Sequence, residues 1–187
     1  MGEANVRKQF LFTNRADDLY PLLTTIISFI VGEIEVTDDI EFKLKVILME
    51  LLTNSLKHSG TEEAAIEVAL NANGFVITKC DSGKPLQFNS DAGELALSVN
   101  QSYLENNVFD IYGDTTCSLK GRVNSAHGIS FFVVDNDEPA GGEEFKKQLV
   151  EHYGLIIIAK AADKFEYRFD RNKNVNKFII TIFTPYR

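Results

Sequence analysis

Glu50, Asn54 and Lys57, in the stretch MELLTNSLKHSG (49–60), combine residue types and spacing that can do chemistry. On a helix with Glu50 at zero, Asn54 falls near 40° and Lys57 near −20°, so the three stack on one face. Leu44, Leu48, Leu52, Ser55 and Leu56 occupy much of the far side, with Val46 and Ile47 flanking the polar stripe. A carboxylate and an amide one turn apart both offer oxygen to a hard cation such as Mg²⁺, which takes few protein ligands and fills its shell with water and phosphate. The lysine can answer a phosphate charge. The competing interpretation is the solvated edge of an amphipathic helix. Spacing alone favours that interpretation, because E-x-x-x-N arises often by chance.

The elements around the stripe must position it. Thr37 with Asp38 and Asp39 starts its helix, where acidic residues suit the positive end of the dipole, and Ser59-Gly60 ends it after Lys57 and His58. Upstream, RKQFLFTN (7–14) reads as a strand, and Asn14 or Asp17 caps a helix over about 17–33. Downstream, AAIEVALNANGFVITKCD (64–81) reads as a hairpin turning at Asn73-Gly74 and running into DSGKP (81–85). At the far end, GLIIIAKAADK (154–164) has helical length, FEYRFD (165–170) alternates as a half-buried strand does, and KFIITIFTPY (177–186) is β-rich.

The stretch between, 86–151, is rich in turn residues. It offers a short helix near 94–106, an apolar strand GISFFVVD (128–135), a loop DNDEPAGGEE and a charged helical approach EEFKKQLVEHY (143–153). The order predicts an α/β fold of the α+β two-layer sandwich kind: a single domain, 1–187, with a mixed, mainly antiparallel sheet and helices on one face.

A net charge of −8 and a pI near 4.9 leave no basic field to neutralise phosphates, which argues against nucleic acid. The longest apolar run, 19–34, is broken by Pro21, Thr24, Thr25 and Ser28, so it reads as a buried helix and not a membrane span. MGEANVRKQF lacks the apolar core of a signal peptide, and Cys80 and Cys117 read as reduced thiols, so a cytoplasmic location is expected. His58 reads as a helix C-terminal residue, and His127 has no partner visible in sequence.

MELLTNSLKHSG resembles the N-box of the GHKL superfamily of ATPases and kinases, a helix bearing E-x-x-x-N that often continues N-x-x-K-[HY]-S. Glu50, Asn54, Lys57, His58 and Ser59 fit it. The family then has a hairpin leading to D-x-G-x-G. Asp81 and Gly83 match, while Pro85 stands at the second glycine. The second glycine box, G-x-G-L, has two candidate places: Ser125–Ile129, and His152-Tyr153-Gly154-Leu155, which is preferred because helix, strand, turn and closing strand follow it in order. The N-terminal strand and helix place the resemblance closest to the anti-sigma-factor serine/threonine-kinase branch, and it covers nearly the whole chain.

The resemblance implies a Bergerat ATP-binding fold, ATP and Mg²⁺ as cofactors, and an ATP-dependent serine/threonine protein kinase or weak ATPase. Its partner would be a sigma factor or an anti-anti-sigma-like regulator, and a homodimer is compatible with it. By the same resemblance, Asn54 would bind Mg²⁺ and Glu50 would be catalytic, orienting or deprotonating the attacking water or hydroxyl. Lys57 would approach the phosphates, and Asp81 would accept a hydrogen bond from the adenine amino group. Gly83 would let the backbone pass close to the base, Gly154 would begin a helix whose free amides face phosphate, and 86–151 would form a long lid. Pro85 and the missing glycines motivate the alternative, a GHKL-fold protein-interaction module that has lost nucleotide binding.

Overall fold

The computed structural model describes residues 6–58, 60–90, 93–96, 108–113, 116–125, 128–136 and 145–184. Strand β1 (Val6–Phe12) leads to helices α1 (Ala16–Glu33) and α2 (Asp38–His58), then to the hairpin β2 (Ala64–Asn71) and β3 (Gly74–Asp81). There follow β4 (Gln87–Ser90), β5 (Gly93–Ala96), β6 (Val108–Gly113), β7 (Cys117–Ser125) and β8 (Gly128–Asp135). Helix α3 (Phe145–Ala161) and the closing hairpin β9 (Lys164–Asp170) and β10 (Val175–Phe183) complete the order.

Eight strands form one open sheet in the order β1-β2-β3-β10-β9-β8-β7-β6, and β4-β5 form a separate two-stranded ribbon. Each described strand pairing is antiparallel. The α+β class is as expected, with an antiparallel sheet where a mixed one was allowed for.

Period-two patterning builds the layers. Along β2, Ala64, Ile66, Val68 and Leu70 are buried and alternate with half-buried residues. Cross-strand partners share a face, so this row continues through Phe75 and Ile77, then Ile180, then Phe165. The helices pack on that face, and Leu23, Ile26, Leu44, Leu48, Ile156 and Ile158 join the strand residues in a single core. The other face carries Arg7, Glu67, Lys120 and Arg168.

Local signals were followed with small displacements. Thr37 caps α2, its hydroxyl accepting the Ile40 N–H at 3.3 Å. Neither Asn14 nor Asp17 caps α1: Arg15 holds the N-cap position without a side-chain bond. Asn14 instead adopts a left-handed backbone (φ 51°) and acts as a tie. Its amide donates to the Thr61 carbonyl at 2.7 Å, and its oxygen accepts from the Ser55 hydroxyl at 2.7 Å, which fixes the end of α2 to the β1–α1 turn.

The β2–β3 turn sits at Ala72-Asn73, one residue earlier than expected, since Asn71 pairs directly with Gly74. Gly74 has φ +137°, and a Cβ there would stand 2.1 Å from the Ile182 carbonyl, so β10 requires a glycine at that spot.

The middle of the chain contributes to the main sheet. GISFFVVD is β8, as expected, and β6 and β7 extend the sheet beyond it. Of the helix expected over 94–106, residues 94–96 belong to strand β5 and the remainder lies outside the described residues. The expected helix 154–164 is α3, which runs back to Phe145 and stops at Ala161, with β9 starting at Lys164. Among the described residues, no helix is long and apolar enough to cross a membrane.

Candidate functional site

The structure gathers the sequence-predicted residues into two groups. The first lies where α2 meets α3. Glu50 and Asn54 are half-buried on α2, and Gly154 of α3 presses against them. A Cβ on Gly154 would stand 2.6 Å from Glu50 Oε2, 3.1 Å from Asn54 Nδ2 and 3.3 Å from Asn54 Oδ1. The N-box stripe and the preferred glycine therefore meet across a hundred residues of sequence. Lys57, in the last turn of α2, is exposed.

The role expected of Gly154 does not hold. It lies inside α3, nine residues after Phe145, so its amide belongs to the helical ladder and is not one of the free N–H groups of a helix start. Glycine serves close approach here: with no Cβ, the α3 backbone can lie against the Glu50 carboxylate and the Asn54 amide.

The second group is a buried polar network at the end of β3. Positions 75, 77, 79 and 81 share the inward face, which puts Lys79 and Asp81 side by side, buried on that face. Lys79 Nζ lies 2.6 Å from Asp81 Oδ2, with the two side chains 5% and 4% exposed. The other carboxylate oxygen accepts from the Gly83 N–H at 3.0 Å and from Asn176 Nδ2 at 2.9 Å.

Asn176 also donates to the carbonyls of Gly83 (3.0 Å) and Lys84 (3.2 Å), and its oxygen accepts from the Tyr167 hydroxyl at 2.6 Å. The same hydroxyl accepts the Leu86 N–H at 2.9 Å. The Lys79 ammonium is 5.2 Å from the centre of the Phe178 ring, a cation–π distance. Residues 82–86 are thereby strapped onto the sheet by side chains of β9 and β10.

Burial pushes the Tyr167 phenol up to about 12, the charge of Asp81 adding to the rise and the Leu86 N–H partly offsetting it. A phenol held neutral in this way serves as a hydrogen-bond relay and is a poor general base at neutral pH.

Asp81 and Gly83 are thus together, as expected, but Asp81 is committed on both oxygens to groups of the chain itself. Lys79, Asn176 and Tyr167 escaped the sequence reading. Lys79 was within reach of it, because a strand with Ile77 and Asp81 turned inward must turn residue 79 inward too. Asn176 and Tyr167 needed the β3-β10-β9 register, which the sequence does not carry.

A cavity lined by Asn71, Asn73, Phe75, Thr181, Ile182 and Phe183 lies at the other end of β3, roughly 23 Å from Asp81 at the rise of a strand. It involves none of the expected site residues. Among the described residues, no group of three or more His, Cys, Asp or Glu stands close enough to hold a metal ion.

The residues present fit an adenine nucleotide with Mg²⁺ poorly in this arrangement. The carboxylate assigned to the base is paired with an ammonium, and a helix backbone lies against Asn54, the residue assigned to the metal. Set against known proteins, the chain matches no family model and no curated protein. The GHKL resemblance rests on the N-box residues, the Asp81-x-Gly83 turn and the order of elements.

Proposed function

We propose that this chain is a GHKL-like regulatory module of Bergerat-type architecture that acts by binding a protein partner and does not hold nucleotide. The carrying observation is the buried Lys79–Asp81 pair at 2.6 Å, which puts a resident cation where the resemblance would place the adenine amino group. Expelling Lys79 from that position would leave Asp81 as an uncompensated buried charge, a change that costs several kcal/mol. The test is calorimetric titration with ATP and ADP, with and without Mg²⁺. No heat is expected at millimolar nucleotide, and saturable heat specific to adenine would overturn the reading.

The second reading is the Mg-ATP-dependent anti-sigma-type serine/threonine kinase, or weak ATPase, acting on a sigma factor or its regulator. The stacking of Glu50, Asn54 and Lys57 on one face of α2 favours it, since these are the residues the resemblance assigns to catalysis, Mg²⁺ and the phosphates. Here Asn54 would hold Mg²⁺, Glu50 would orient or deprotonate the attacking hydroxyl, and Lys57 would approach the phosphates. In such chemistry positioning and charge neutralisation do most of the work. On this reading Asp81→Asn abolishes adenine binding and Asn54→Ala weakens its magnesium dependence. The same titration separates the two readings.

A further inference from the structure

The end of the chain reverses the charge of the rest. Residues 164–187 hold Lys164, Arg168, Arg171, Lys173, Lys177 and Arg187 against Glu166 and Asp170, which is +4 and leaves −12 for residues 1–163 of the total −8. Two of these cations meet on the sheet. Lys177 of β10 and Arg168 of β9 are direct cross-strand partners, and their chain neighbours Asn176 and Phe169 are buried. Both side chains therefore stand on the face opposite the helices. Like charges placed directly opposite cost stability, and the strands nevertheless hold this pair. Arg168 donates to Glu166 at 2.7 Å and keeps its side chain 61% exposed.

The turn between the two strands adds to the pair. Its residues 171–174 are shaped from within: Asp170 Oδ1 accepts the Lys173 N–H at 3.2 Å, and Asn174 takes a left-handed backbone (φ 51°). Arg171 and Lys173 are exposed on it. Lys84, also exposed, reaches the same end of the sheet from the strap, its carbonyl lying 3.2 Å from Asn176 Nδ2. Among the described residues, Lys84, Arg171, Lys173 and Lys177 stand in no ion pair.

From this convergence we infer that the tip of the β9–β10 hairpin binds an acidic, Asp/Glu-rich segment of a protein partner, with Arg171, Lys173 and Lys177 as the contacts. Unpaired cations held at fixed positions in an otherwise acidic molecule select a partner by charge complementarity. The −12 carried by the rest of the chain selects its size. A nucleic acid or an anionic bilayer extends its charge beyond the patch and meets that repulsion, whereas a short acidic segment confines its charge to the hairpin. The turn residues Arg171, Asn172, Lys173 and Asn174 also offer no apolar side chain to enter a bilayer. An isologous contact between two copies would set one basic tip against another. The inference names a partner class for the interaction module proposed above and rests on that reading. The nucleotide titration and the experiment below can fail separately.

The experiment is fluorescence anisotropy with a labelled Glu/Ser peptide and its uncharged Gln/Ser counterpart. Targets are the full chain, the hairpin variant Arg171→Gln/Lys173→Gln/Lys177→Gln, and a control that loses the same charge at ion-paired sites, Arg7→Gln/Lys43→Gln/Lys45→Gln. Circular dichroism checks that each variant folds. The Glu/Ser peptide is expected to bind the unaltered chain and the control alike, at least about tenfold more weakly to the hairpin variant, and more weakly as salt is added. The Gln/Ser peptide is expected not to bind. No binding of the Glu/Ser peptide would overturn the inference, as would an equal loss in both variants, which would show attraction by bulk charge alone. Oligo-dT and phosphatidylserine vesicles are added as competitors and are expected to leave the peptide bound. Displacement by either would assign the hairpin to that polyanion and overturn the inference. A concentration-dependent oligomer dissolved by the hairpin variant would assign it to a second copy, which also overturns it.

Discussion

Lys79 and Asp81 are costly to bury singly and tolerable together, because each supplies the charge the other needs. Truncating either one leaves the other buried without its counter-charge. Lys79→Met or Asp81→Asn alone should therefore destabilise by about 3–5 kcal/mol in urea unfolding. The double variant Lys79→Met/Asp81→Asn should recover most of that loss, since Asn can keep accepting from Gly83 and Asn176. Additive losses would mean that the two side chains are not coupled. Tyr167 gives the same network a pH signature. Its folded pKa of about 12 stands above the ordinary 10, so the folded state keeps a proton that the unfolded chain has already lost. The associated stability is complete below pH 10 and fades as pH climbs towards 12, by about 2–3 kcal/mol. Tyr167→Phe should flatten that alkaline slope relative to the unaltered chain, as well as cost about 1–3 kcal/mol at neutral pH for the bonds to Asn176 and Leu86. An unchanged slope would remove Tyr167 from the network.

At the level of elements, Gly154 sets how closely α3 approaches α2. Glycine inside a helix costs about 1 kcal/mol relative to alanine, so Gly154→Ala gains propensity and loses clearance. The nearest atom, Glu50 Oε2, is the tip of a flexible side chain, so it can swing aside, and Gly154→Ala is expected to be nearly neutral. In an Glu50→Ala background the same change should stabilise by about 0.5–1 kcal/mol, while Gly154→Leu should destabilise by about 1–3 kcal/mol by wedging the helices apart. Equal effects of Gly154→Ala in both backgrounds would show that the Glu50 contact is immaterial. This glycine also shows why part of the fold was illegible. Read alone it looks like a helix boundary, and only its neighbour across the interface explains it as an interior residue. Strand β7 was missed for a similar reason: Cys117, Leu119 and Val123 alternate with Ser118, Lys120 and Arg122, but Gly121 interrupts the inward row. It is glycine because the Phe109 ring would lie 2.7 Å from a Cβ there. The helix α2, the hairpin β2–β3 and the closing hairpin were legible because their burial follows local periodicity. The Asp81 network was half legible, through Lys79 on β3, and its other half depended on which distant strands pair.

On the scale of the whole molecule, the sheet order places the last strand in the middle. Strand β10 pairs with β3 along Asn176–Phe183 and with β9 along Val175–Thr181, and among the described residues no other strand joins the β1-β2-β3 side to the β9-β8-β7-β6 side. Ile180 and Ile182 are buried in the core, and Asn176 carries the strap. The polar network and the core thus both depend on β10, which lies between its hairpin partner β9 and β3, a strand made about a hundred residues earlier. Such non-local pairing places folding in the slow range, about milliseconds to seconds. A chain ended at Asn174 would expose two strand edges and the apolar face between them, a surface prone to aggregation. It should therefore lose cooperative thermal unfolding and near-ultraviolet dichroism together, while helices keep part of the far-ultraviolet signal. Ile180→Ala in the intact chain should cost about 2–5 kcal/mol and keep a single transition. If the shortened chain still melted in one sharp step, β10 would be an addition to a sheet already complete, and the Asp81 strap would need a support other than Asn176.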